Sequence, residues 1–243
     1  MFLNKITMMT MMFLFFTLSS AGYCENVKLS KPQNKPEKSE KSEIKKPLQT
    51  MSLDGIIAGV EKRYGGPGFT ARFTQTSTIK AMDITDTAEG KVFIKRPGMM
   101  RWEYEIPERQ IILTDGDILW IFRTEDNQVM TGKAPAYFGD GKGASFLSNI
   151  RVIRDKFIVS LEKDDNPAYY RLKLIPKEKK LDIAYVYLSI SKSNFNVEQI
   201  ITYNSYEDET LIQMSRFQFN QNLDDDIFSF KIPEGADVLQ LED

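Results

Sequence analysis

The chain contains no histidine and only one cysteine, Cys24. Without histidine it has neither the commonest general base near neutral pH nor the commonest metal-binding side chain. A lone cysteine can close neither an internal disulfide nor a thiolate zinc cluster. Serine–histidine and cysteine–histidine hydrolase arrangements and zinc sites of the usual kinds are therefore excluded. An enzyme built on this chain would have to use carboxylates, lysine or tyrosine. The sequence shows no phosphate loop, dinucleotide loop or nucleophile elbow. The run Asp224-Asp225-Asp226 lacks the glycine and spaced ligands of a calcium loop and reads as a solvated turn. No cofactor or metal is expected. The net charge of −2 over 243 residues implies no general affinity for nucleic acid.

Long apolar runs are also scarce. The one at the N-terminus, Met8 to Leu18, is too short to span a bilayer as a stable helix. With Lys5 before it and Ser19-Ser20-Ala21 after it, residues 1–24 read as a secretory signal. Cleavage after Ala21 and cleavage after Cys24 both fit. A lipoprotein reading would acylate Cys24, although the bulky Tyr23 before it is unfavourable. Residues 25–48 hold seven lysines, four glutamates and three prolines, and almost nothing apolar. Such a stretch cannot bury enough surface to order itself and reads as a linker. It is a solvated spacer or a weak basic arm for anionic head groups, where each lysine contributes about 1 kcal/mol. The remaining 49–243 form the expected folded domain.

What the chain does hold is apolar and aromatic bulk, 42% hydrophobic and 12% aromatic residues, enough for a sizeable core. Ser52 can cap a helix from about Leu53 to Tyr64, with Leu53, Ile56, Ile57 and Val60 on one face. From Phe69 the period changes from 3.6 to 2, and Phe69, Ala71, Phe73 and Gln75 share a face. The stretch Lys91–Tyr104 reads as two strands around a Pro97-Gly98 corner. Val92 and Ile94 share one face of the first strand, and Met100, Trp102 and Tyr104 share one face of the second. Arg96 stands beside the turn. Ala81 to Ala88 reads as a polar turn, and Thr114-Asp115-Gly116-Asp117 as a hairpin of type I′. Trp120 and Phe122 share a strand face, and both tryptophans are expected in the core. The strand pattern fails over Gly132–Lys142. It is followed by helical spacing in Phe146, Leu147, Ile150 and Ile153, which makes this segment a candidate lid or an ordinary connecting helix. Strands then resume, Ile227 to Phe230 is a short apolar run, and Val238 to Leu241 is a last strand or a tail. The count is ten or eleven strands, nearly all antiparallel by their short turns. The fold expected is mainly β with a few helices, as one strongly curved sheet or incomplete barrel with helices to cover its open face.

Three pieces then carry a resemblance: F-x-x-x-F-x-Q at Phe69–Gln75, G-K-V-F-I-K-R-P-G-M-M-R-W at Gly90–Trp102, and T-D-G-D-I-L-W at Thr114–Trp120. With F-S-F-K-I-P-E-G at Phe228–Gly235, they resemble the outer-membrane lipoprotein carrier protein family (LolA) over about residues 50–240. The resemblance implies an unclosed antiparallel β-barrel with a helical lid and a hydrophobic interior. It implies a monomeric periplasmic chaperone, not an enzyme. Such a chaperone takes lipoproteins by their acyl chains from an inner-membrane ABC-type release complex and hands them to an outer-membrane receptor. It casts Arg96 as a latch on lid carbonyls and Met100 as an acyl-chain contact. The acyl-chain cavity is expected from Phe73, Val92, Ile94, Met100, Phe146, Leu147 and Ile150. The lysine-rich linker lies outside the family's basic pattern. Two alternatives stay open. One is a carrier of another lipid or glycolipid, or an anchored receptor of the same superfamily. The other is a carboxylate enzyme using Glu103 or Glu105 with a second acid.

Overall fold

A computed structural model describes residues 51–135, 145–178 and 183–241. The signal (1–24), Cys24, the linker (25–48) and most of the glycine-rich start of the expected lid (136–144) lie outside the described residues.

Helix α1 spans Leu53–Arg63, as the 3.6 period predicts. The Ser52 hydroxyl accepts from the Gly55 N–H at 3.2 Å, relieving one of the unpaired donors of the first turn. Ile56, Ile57 and Val60 face inward. At the other end, the buried Tyr64 hydroxyl accepts from the Val197 N–H at 2.9 Å, which pins the helix to the sheet.

The strands are β1 Gly68–Ile79, β2 Ile84–Lys95, β3 Met99–Ile106, β4 Gln110–Thr114, β5 Ile118–Arg123 and β6 Gln128–Lys133. They continue with β7 Phe157–Glu162, β8 Tyr169–Pro176, β9 Tyr185–Ser191, β10 Val197–Tyr203, β11 Glu209–Phe219 and β12 Asp237–Gln240. All twelve form one sheet in the order β12-β6-β5-β4-β3-β2-β1-β11-β10-β9-β8-β7. The two edge strands, β12 and β7, do not pair with each other, so the barrel is unclosed, as expected. Every neighbouring pair is antiparallel except β12 with β6, which is parallel. The stretch left open as strand or tail is therefore a twelfth strand, one beyond the expected count.

Directly opposed residues share a face, so the register sorts the side chains. One row of the inner face runs Ala71, Val92, Trp102, Ile112, Ile121 and Met130; the next runs Ile94, Met100, Thr114 and Leu119. On the other side of β1 the inner face continues through Ile212, Ile200, Leu188 and Leu172. Helix α1 and the segment after residue 144 cover this face.

Four local expectations are corrected. First, β2 begins at Ile84, and the turn before it is confined to Lys80–Asp83, with Asp83 at φ 53°. The β1–β2 hairpin extends past the core at this end, so its outward residues are polar, and that polarity imitates a loop. Second, the Asp115-Gly116 turn is not type I′, because Gly116 (φ 109°) has positive φ and Asp115 does not. Instead, the Asp115 carboxylate accepts from the N–H groups of Asp117 and Ile118, both at 2.9 Å, and closes a three-residue loop. Third, the predicted mid-chain helix is broken into a 3-10 turn at Ser145–Leu147 and a short α2 at Val152–Lys156. The bonds between them are mostly i to i+3, and the Ser148 hydroxyl donates to the Ser145 carbonyl at 2.7 Å. A serine that bonds the nearby backbone competes with a regular helix.

The fourth concerns Trp120. It is not in the main core: it shares the outer face with Leu113, Phe122 and Val129. There the chain after β11 lies across the sheet through a 3-10 turn at Asp225–Phe228, where the short apolar run was expected. Arg101 donates to the Ile227 carbonyl at 3.1 Å, and Phe230 packs against Trp120 and Phe122 with ring centroids 6.1 and 5.7 Å apart. Leu113, Val129 and Phe228 are each 1% exposed or less, so this is a second small core on the outer face. Phe228→Ala should therefore cost about 3–5 kcal/mol, the range for emptying a buried aromatic site. Urea unfolding followed by tryptophan fluorescence checks this. A loss within about 0.5 kcal/mol, as for an ordinary surface change, would place Phe228 in solvent.

Candidate functional site

The inner face of β1–β3 and its cover are where the predicted site residues meet. Phe73 comes from β1, Val92 and Ile94 from β2, and Met100 from β3. Phe146, Leu147 and Ile150 come from the covering segment. All seven are 2% exposed or less and belong to one apolar cluster, together with Ile56, Ile57 and Val60 of α1. Trp102 is in the same cluster, as expected of a core residue. The Phe73 ring stands edge-on to Trp102 and Tyr104, with centroids 4.8 and 5.0 Å away. The ring fits there because its partner across the ladder is Gly90: a Cβ at that position would lie 2.8 Å from the ring and run into the Glu103 carbonyl. The glycine in the G-K-V-F motif thus has a steric reason.

One polar group in this face was not singled out from the sequence. Tyr104 donates its hydroxyl to Gln75 Oε1 at 3.0 Å, and Gln75 Nε2 donates to Ser77 Oγ at 3.1 Å. Burial pushes the Tyr104 hydroxyl well above the ordinary tyrosine range, so it stays neutral. The signal was present in the sequence: Gln75 occupies an inward position two residues after Phe73, and a buried glutamine needs partners.

The two glutamates of the enzyme alternative point the other way. Glu103 lies 2.6 Å from Arg101, and Glu105 lies 2.9 Å from Lys91 and 2.8 Å from Arg72, all on the outer face. The Lys91 bond foremost, and Arg72 with it, hold the Glu105 carboxyl below its usual range. A carboxylate kept ionised in this way is poorly suited to act as a general acid. The outer face also carries an open cleft of about 360 Å³, lined by Thr78, Lys80, Tyr185, Tyr203, Glu207 and Glu209. Lys80 pairs with Glu207 there, and Tyr203 bonds Glu209. Burial and then Glu209 push the Tyr203 hydroxyl up to about 12. This cleft's polar groups engage one another and are remote from the apolar cluster by face.

Arg96 ends beside the corner after β2. Its backbone N–H donates to the Pro67 carbonyl at 3.0 Å. Its side-chain Nη2 is buried and has no hydrogen-bond partner. Burial and then the charge of Arg151 lower the Arg96 pKa. The expected latch to lid carbonyls is not seen among the described residues, and 136–144 lie outside them.

The cover is held to α1 by a different arginine. Arg154 of α2 reaches Glu61 at 2.8 Å and Asp54 at 3.0 Å, both on α1. Lys177 donates to the Arg154 and Asp155 carbonyls, both at 3.0 Å. The Arg154 pairs are solvent-accessible, and such pairs contribute about 0.2–1 kcal/mol each. Arg154→Ala should therefore release the cover at little cost in global stability, about 1 kcal/mol. Amide hydrogen exchange in 145–156 should be faster than in the unaltered protein. An unchanged exchange rate would mean that these pairs do not restrain the cover.

Comparison with known proteins gives the family of the chain. A family model described as outer membrane lipoprotein carrier protein LolA matches residues 67–231. A Neisseria gonorrhoeae protein named outer-membrane lipoprotein carrier protein is 29% identical over 172 residues, covering 71% of this chain and 80% of that one. A Coxiella burnetii protein of the same name is 28% identical over 174 residues, covering 71% and 80%. Among solved structures, an uncharacterised conserved protein from Thermus thermophilus aligns with a TM-score of 0.51 at 15% identity, over 77% of this chain and 98% of that one, a likeness of fold. The chain belongs to the outer membrane lipoprotein carrier protein (LolA) family.

Proposed function

We propose that this protein binds the acyl chains of lipoproteins between the inner face of β1–β3 and the 145–156 cover, and carries them through the periplasm from the inner to the outer membrane. An ABC-type release complex would load it and an outer-membrane receptor would unload it. The observation that carries this reading is the convergence of Phe73, Val92, Ile94, Met100, Phe146, Leu147 and Ile150 in one apolar cluster, with a cover tied down by solvent-accessible ion pairs. The family membership supports it.

The physical chemistry of a carrier follows from that cluster. Each buried CH₂ of an acyl chain contributes about 0.8 kcal/mol, so chain length sets the driving force. In the closed state the side chains of sheet and cover fill the site themselves. A chain must displace the cover, and the lost contacts between sheet and cover offset part of the gain. Binding is then strong enough to hold cargo in water and weak enough to release it to a receptor. Met100 suits this task because its unbranched, polarisable side chain repacks against alkyl groups at small cost. No bond is made or broken, and the carboxylates Glu103 and Glu105 take no part.

Native mass spectrometry of the protein taken from the periplasm without detergent tests the reading, with a triacylated lipoprotein as the expected bound species. A phospholipid or glycolipid found instead would keep the site and change the cargo. Met100→Glu places a carboxylate in the cluster, where an unpaired charge costs several kcal/mol. It should weaken acyl-chain binding about tenfold or more while the β-type circular dichroism is retained. The milder Leu147→Ala should weaken it in the same direction. Unaltered binding in both variants would move the site elsewhere.

A further inference from the structure

The apolar inner face contains a polar exception that the acyl-chain reading does not use. Gln75 is 4% exposed and Ser77 6%, both on the inward side of β1. Gln75 is enclosed by apolar neighbours. Phe73 precedes it on the same face, and its ladder partners are Ala88 on β2 and Ile212 on β11, each 6% exposed. Tyr104 reaches it from β3, with the Phe73 ring 5.0 Å from its own. A leucine at position 75 would fill this place without the cost of taking an amide out of water. The hydrogen bonds match only part of the polar group. The three side chains carry four donor hydrogens, one on Tyr104, two on Gln75 and one on Ser77. Tyr104 donates to Gln75 Oε1 at 3.0 Å and Gln75 Nε2 donates to Ser77 Oγ at 3.1 Å, which uses two of the four. The other two, one on Gln75 and the hydroxyl hydrogen of Ser77, meet no acceptor among the described residues, which include the flanking strands β11, β2 and β3 in full. Turning the amide over changes which groups hold them and still leaves two. Buried donors without an acceptor cost free energy that a bound acceptor would relieve.

The order of residues along the strands says what that acceptor is attached to. Ser77 is opposed by Asp86 on β2 and Thr210 on β11, both half-buried and polar. The inner face therefore passes from the Ile94–Met100 row, through Phe73, to Gln75 and Ser77, and then to a polar margin. An acyl chain has the same order: alkyl groups, then a carbonyl oxygen that accepts and donates nothing, then a polar head. We infer that Gln75 and Ser77 form a subsite for the acyl carbonyl, with Tyr104 as a positioning residue that orients the Gln75 amide. The protein then takes acyl esters and amides in preference to alkyl chains of equal length that lack a carbonyl. Hydrogen bonds in series polarise one another, so the relay from Tyr104 through Gln75 strengthens the donor at its end. The alkyl part lies toward Ile94 and Met100, and the linkage lies at the Ser77 margin. This inference deepens the acyl-chain reading above and rests on it.

Displacement of a pyrene-labelled fatty acid methyl ester by methyl decanoate and by decyl methyl ether, each kept below its solubility limit, tests it. Both competitors are uncharged and nearly equal in length, and the ether lacks the carbonyl. The ester should bind about fivefold more tightly than the ether, the factor expected of one net hydrogen bond. Gln75→Leu, Ser77→Ala and Tyr104→Phe combined replace the trio by apolar groups of similar shape, an exchange close to neutral for stability. That variant should bring the ratio close to one. A trio with a structural role alone would shift both affinities together and leave their ratio unchanged. Ser77→Ala by itself should lower the ratio about twofold, and it decides the matter if the combined variant fails to fold. Equal binding of ester and ether to the unaltered protein, or a ratio that survives in the variants, would overturn the carbonyl subsite and leave the acyl-chain reading intact. Failure of the probe to bind, or of both competitors to displace it, would overturn the acyl-chain reading and this inference together.

Discussion

An open sheet with one apolar face must be covered, and the rest of this structure depends on that constraint. The pairing of β1 with β2 and β3 stacks Ala71, Val92 and Trp102 in one row, with Ile94 and Met100 in the next, all on the inner face. Left in water, such a face would be a liability for aggregation. The chain supplies two covers. Helix α1 is fixed by its cap and by the Tyr64 hydroxyl on β10. The 145–156 segment is a series of short turns and half-turns held by side-chain packing and by Arg154. The second carries fewer regular backbone bonds than the first, and its ion pairs lie in water.

The outer face solves the same problem differently. On β3–β6 the chain after β11 crosses back over the sheet, buries Phe228 beside Leu113 and Val129, and adds β12 in parallel to the edge of β6. The outer face is thus covered by a core of its own, separate from the apolar cluster of the inner face. The carboxylates on that outer side of β3 are bound to Arg101, Lys91 and Arg72. Charge is thus neutralised away from the inner face.

Much of this was legible in the residues. The period-two alternation placed Phe73, Val92, Ile94 and Met100 on a common side, and the 3.6 period placed Ile56, Ile57 and Val60 on another element facing it. Phe146, Leu147 and Ile150 kept their inward face although the helix expected there is broken, since buried spacing survives a change from α to 3-10 turns. Other features were not legible. Trp120 alternates correctly with Leu119, yet alternation does not say which face of a sheet is the inner one. The polar end of the β1–β2 hairpin imitated a loop because it lies beyond the core.

Composition and local pattern alone determined the chemistry that is excluded, the positions of most strands, the N-terminal helix and the membership of each strand face. These follow from side-chain type and backbone period, which are properties of neighbouring residues. Only the tertiary structure decided that β12 joins β6 in parallel, that Phe228 belongs to a second core, that Gln75 meets Tyr104, and that Arg154 joins the cover to α1. Each of these joins residues far apart in the chain. Such contacts depend on how the sheet curves and which segment returns across it, and no local period encodes that.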